Sequence, residues 1–277
     1  MSAPRRSSVI VFLVSAAVMA FQSASYASHS WGGYHWARTA NPFTLKLGDN
    51  LTSADWKSHL AQTSSDWNSG NSPLITAIVA GTSRKRCSMV AGTTQVCAAS
   101  YGNNGWLGLA TISINGVHIT QGSAKMNDTY FNTSKYNNPN EREHVMCQEV
   151  AHTFGLDHQS TDGSSQNSCM DYFSNTGANA GSTLSTTPNA HDFQELNIIY
   201  QHLDSTTTVA AATPPAASAS EVTDDPNTWG QLVRQSPEGR SSTYERVHGN
   251  ASKTVTHVFW TAEAAEICPG CDHRYDR

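Results

Sequence analysis

The stretch that decides the reading is Gln148-Glu149-Val150-Ala151-His152-Thr153-Phe154-Gly155-Leu156-Asp157-His158. Pro139 suits the opening of a helix that the pattern carries to about Phe154, and Gly155 suits its C-terminal end. On such a helix positions 148 and 152 lie one turn apart and share a face. Gly155 lets the chain leave sharply, so that His158 can return to the same point. Gln148, His152 and His158 are therefore candidate ligands of one metal ion, zinc, with a fourth position left open. Glu149 stands beside them without being needed as a ligand and is the candidate general base. A Glu-x-x-His pair alone arises by chance on amphipathic helices. The added Gly-x-x-His, with Met170 and Tyr172 further on, makes coincidence a poor account.

Gln148 is the weak member, because an amide oxygen is a poorer zinc donor than an imidazole nitrogen. His144 lies on the same stripe but two turns before His152, about 12 Å along the axis. It cannot share one tetrahedral ion with His152 and His158, and is expected beside Gln148 as a supporting neighbour. Asp157 and Asp171 flank site residues and read equally as supporting partners or as turn aspartates. His118, His191 and His202 read as surface or capping histidines.

Working outward, the 277 residues suffice for one or two domains with a real core. Only 14% are charged, against 38% hydrophobic, and Ser, Thr, Asn and Gly abound, which suits a strand- and loop-rich exported protein. A net charge of -5 gives no basic footprint for nucleic acid. Arg5 and Arg6, the apolar run Val9 to Phe21 and Ser25-Tyr26-Ala27 read as a signal peptide over residues 1–27. The run is short of the roughly 20 apolar residues of a span. A secreted chain with no membrane association after cleavage is expected.

Six cysteines in an exported chain imply disulfides. Spacing suggests Cys87 with Cys97 across a hairpin, Cys147 with Cys169 around the metal segment, and Cys268 with Cys271. The last pair also admits a metal reading with His273. Strands are expected at Phe43–Leu47, Pro73–Ala80, Gln95–Ser100, Leu107–Ile114 and Val117–Gly122, with helices at Ser53–Trp67 and Ala190–Leu203. Residues 205–226, rich in Thr, Ala, Pro and Ser, read as a linker. Beyond it, residues 227–277 read as a small β-rich module.

The central stretch resembles the metzincin pattern His-Glu-x-x-His-x-x-Gly-x-x-His, closest to its matrixin-like branch and to a group of secreted bacterial proteins, with Gln148 at the first histidine. Cys169-Met170-Asp171-Tyr172 is similar to the methionine turn that lies beneath the metal in that family. The resemblance implies an α+β fold over residues 28–204: a twisted, mostly β upper lobe, an active-site helix, the methionine turn and a C-terminal helix. It implies a zinc endopeptidase acting on a protein or peptide, with Tyr172 near the metal or the oxyanion. A substrate strand would pair with an exposed edge strand, for which Gly116 to Gly122 is the candidate. The rival expectation is a metzincin-like binding protein that holds metal weakly and does not catalyse.

Overall fold

The computed structural model describes residues 29–82, 87–210, 224–249 and 251–275. The expected signal peptide and residues 211–223 of the expected linker lie outside them.

The chain runs β1 (His35–Trp36), β2 (Phe43–Asp49), α1 (Ala54–Ser69), β3 (Leu74–Ala80), β4 (Thr93–Ala99), β5 (Trp106–Asn115), β6 (His118–Asn127), α2 (Asp128–Phe131), α3 (Pro139–His152), α4 (Ala190–Ile199), β7 (Gln231–Gln235), β8 (Ser241–Gly249), β9 (Ser252–Trp260) and α5 (Ala262–Ile267). It is a mixed α/β architecture built on one large sheet. Local chemistry accounts for the helix starts. Ser53 caps α1 by accepting from the Trp56 amide, Asn138 caps α3 by accepting from the Glu141 amide ahead of Pro139, and Asn189 and Asp192 form a capping box on α4. Trp56, Leu60 and Trp67 put α1 on the sheet, all buried.

The strand order is β3-β2-β4-β6-β5-β9-β8-β7, with β1 set against β6. The first four are parallel neighbours, and from β6 onward every pairing is antiparallel. Residues 231–260, expected as a small β-rich module, do form three strands. These strands continue the main sheet, because β9 pairs with β5 along its length, Ala110 opposite His257. A second cluster of Trp106, Leu109, Trp229, Tyr244, Val258 and Trp260 binds the addition together. At about 25 cal/mol per Å² of buried apolar surface, four large aromatic rings make this a substantial junction.

The edge-strand expectation is corrected by this order. Residues 118 and 119 of the Gly116–Gly122 segment pair with β1 on one side and β5 on the other, so it offers no free edge. The edges are β3 and β7. β6 also runs five residues beyond the expected end at Gly122, because β4 pairs with it from Gly122 to Asn127. Helix α4 stops at Ile199, short of the expected Leu203. Leu203 is exposed while Tyr200 is buried, so the apolar spacing outlasted the helix.

Gly155 carries the turn out of α3 at φ +96°, and a Cβ there would lie 2.0 Å from the carbonyl oxygen of Tyr34. Both the left-handed backbone and the close approach require glycine. Gly155→Ala is expected to cost about 3 kcal/mol or more in a denaturant titration. A loss under 1 kcal/mol would mean the turn relaxes freely.

Candidate metal centre

Helix α3 presents Gln148, Glu149 and His152, and the turn at Gly155 returns His158 to His152, with their Nε2 atoms 3.1 Å apart. His152 Nδ1 lies 2.8 Å from the Leu156 carbonyl, which only accepts, so Nδ1 carries the hydrogen. His158 Nδ1 lies 3.1 Å from the Asp157 carboxylate and carries its hydrogen likewise. The two Nε2 atoms therefore face each other as bare lone pairs. That contact is repulsive by itself and becomes favourable when a cation is shared. Two ligands about 2.0–2.1 Å from a tetrahedral zinc lie about 3.3–3.4 Å from each other, close to this separation.

A third histidine joins them. His152, His158 and His257 bring one nitrogen each to within 4.8 Å of one another, and all three are buried. The His257 ring centroid lies 3.9 Å from that of His152 and 4.7 Å from that of His158. Ser241 holds His257 Nε2 at 3.1 Å, and Nδ1 lies 3.3 Å from Glu149 Oε2. Sequence reasoning missed His257. It stands alone in an alternating strand segment, and only the pairing of β9 with β5 ties it to the Gln148–His158 stretch.

Electrostatics favour the ligand form of all three. Burial pushes the His152 and His257 pKa values well below the ordinary histidine range, and neighbouring histidines push them further. Burial lowers His158 too, against the opposing pull of Asp157. Burial alone would raise Asp157, but His158 and Arg234 outweigh it and hold the carboxyl below its usual range. Neutral imidazoles are what a metal requires. Burial raises Glu149 well above the usual carboxylate range, and its Oε1 has no hydrogen-bond partner. Gly108 of β5 makes room for it, since a Cβ there would lie 2.5 Å from Oε1.

Gln148 is tied to the turn beneath. Its amide nitrogen donates to the carbonyls of Cys169 and Asp171, both at 2.8 Å. Its Oε1 is buried with no hydrogen-bond partner. His144 is its neighbour, Nε2 to Nε2 at 3.4 Å, and is itself held by Asn175 and the Asp171 carbonyl. Met170 is fully buried. The Tyr172 hydroxyl lies 3.0 Å from His158 Nδ1, so it contacts a histidine of the cluster. Burial raises its pKa well above the ordinary tyrosine value. Of the two flanking aspartates, Asp157 orients His158, whereas the Asp171 carboxylate binds Gln166 and Ser185 and shapes the turn.

The disulfides are Cys87–Cys97, Cys147–Cys169 and Cys268–Cys271. The second joins α3 to the Met170 turn, closing a loop of about 20 residues, for which the chain-entropy model gives about 3 kcal/mol. The first links a loop residue to β4, and not two strands of a hairpin. The third removes both thiolates from the metal reading with His273.

A cavity of about 280 Å³ opens beside the cluster, lined by His158, Tyr172, Asp157 and, from β7 and the turn after it, Arg234, Gln235 and Ser236. Arg234 pairs with Asp157 at its wall.

No family model matches the chain, and no curated protein does. Among solved structures it is similar to high choriolytic enzyme 1, a hatching enzyme zinc-protease from the medaka fish Oryzias latipes, with 11% identity and a TM-score of 0.33. The match covers 60% of this chain and 94% of that one. A similarity at that level carries no argument about the site, which rests on its own geometry. Among the described residues no helix is long and apolar enough to cross a membrane.

Proposed function

We propose that the chain is a secreted, zinc-dependent endopeptidase of metzincin type, in which His152, His158 and His257 hold the ion. The observation that carries the reading is the pair of bare Nε2 atoms facing each other at 3.1 Å, with a third neutral imidazole beside them. Zinc held there would supply Lewis acidity toward a scissile carbonyl and ease deprotonation of the attacking water. Glu149 accepts that proton and returns it to the leaving amine. Gln148 anchors α3 to the methionine turn through the Cys169 and Asp171 carbonyls. Tyr172 and Asp157 fix the His158 ring.

Substrate reaches the site through the cavity at His158 and Tyr172. With β9 on β5, the strand that can add an extended peptide at this mouth is the edge strand β7, whose Arg234 and Gln235 line it. A second reading, a metal-binding protein without turnover, draws on the burial of Glu149 at 0% exposure.

The test measures zinc content and casein cleavage together. The folded chain is expected to retain zinc and cleave, to lose cleavage on chelation and to regain it with zinc. Zinc retention without any cleavage would favour the second reading. Absence of retained zinc would sink both.

A further inference from the structure

We propose that His35, His202 and Asp204 form a second zinc site, with His118 beside it on Asp204, that clasps the segment around β1 to the segment after α4. The histidines converge on one oxygen: Asp204 Oδ1 lies 3.4 Å from His35 Nε2, 3.1 Å from His118 Nε2 and 3.6 Å from His202 Nε2. His35 and His202 approach Nε2 to Nε2 at 3.2 Å. These separations sit around the roughly 3.3–3.4 Å edge of a tetrahedral zinc site. Two imidazoles and a carboxylate are a common zinc donor set in chemistry alone, borderline nitrogen with one hard oxygen.

The supporting partners are in place. His35 Nδ1 lies 3.0 Å from the Gly33 carbonyl and donates to it, which turns Nε2 toward Asp204 and His202. Asp204 Oδ2 accepts from the Arg38 amide at 3.2 Å and the Arg38 guanidinium at 3.1 Å, so Oδ1 is turned to the histidines. Arg38 in turn donates to the Tyr200 and His202 carbonyls, fixing the chain that carries two of the ligands. His35 is buried, while the His202 and His118 side chains are 52% and 34% exposed, which gives the ion an entry path.

The three ligands come from β1 and from the chain after α4, so an ion held there ties those two segments together. The clasp lies where Thr208 already bonds Ala37 in both directions and the Asp204 amide bonds the Arg38 carbonyl. The neighbouring Trp36 indole donates to the Thr153 carbonyl, and the Trp31 amide to that of Gly155. The clasp therefore steadies the segment that supports the end of α3.

The test counts zinc by mass spectrometry in the folded full chain loaded with zinc and freed of excess, for wild type, His202→Ala, Asp204→Asn and His152→Ala. Two zinc ions per chain are expected in wild type and one in each variant. Added zinc should raise the melting temperature of His152→Ala and leave that of His152→Ala/His202→Ala unmoved. If His202→Ala and Asp204→Asn both keep the wild-type count, or zinc leaves the melting temperature of His152→Ala unchanged, the second site does not exist. If His202→Ala loses an ion and His152→Ala loses none, this site stands and the peptidase centre falls.

Discussion

Replacing Glu149 by glutamine is expected to lower peptide hydrolysis about 10²–10⁴-fold while zinc content stays that of the wild type. Glutamine matches glutamate in shape, so the space left by Gly108 still fits it. Its amide can still meet His257 Nδ1, which now lies 3.3 Å from Glu149 Oε2. What it lacks is a basic oxygen that takes a proton from water and returns it. On the proposed ligand set the three histidines supply the nitrogens, so the metal should remain. The two measurements separate the roles. Full activity in Glu149→Gln would remove Glu149 as the base. Loss of zinc would recast it as a ligand or as the group that orients His257.

The legible part of this molecule was the part encoded locally. The helix from Pro139, its stop before Gly155 and the return of His158 all follow from spacing within about 20 residues. So do the disulfide from Cys147 to Cys169 and the neighbour role of His144, since helix geometry fixes who meets whom. The misjudged parts depend on which strands pair. Nothing in the composition of residues 227–277 tells whether three strands stand apart or extend a sheet. Once β9 lies on β5, the candidate edge at Gly116–Gly122 is enclosed and β7 becomes the edge. His118 and His202 fit their surface reading, with side chains 34% and 52% exposed. Each is unremarkable in its own segment, and only the meeting of β1, β6 and the chain after α4 gives them a shared partner in Asp204.

Pairing of β9 with β5 also answers the question raised by Gln148, and a pair of substitutions tests the answer. His257→Ala is expected to weaken zinc binding at the proposed His152–His158–His257 centre by more than about 100-fold, since losing even an outer partner of a ligand costs about 10–100-fold. In that background Gln148→His should recover much of the loss, by returning a nitrogen one turn before His152. Recovery has a cost. The Gln148 amide serves two buried carbonyls, those of Cys169 and Asp171, and a histidine has fewer hydrogens to give them. An unmet buried carbonyl costs about 1–3 kcal/mol, so Gln148→His alone should lower stability and gain little zinc affinity while His257 is present. The signature is therefore non-additive: a small effect of Gln148→His in wild type and a large one in His257→Ala. It is read by zinc competition with a colorimetric chelator alongside thermal melts, with the ion at Asp204 counted separately through His202→Ala. If His257→Ala holds zinc as tightly as wild type, the third nitrogen is not His257. If Gln148→His tightens binding equally in both backgrounds, the two positions do not substitute for each other.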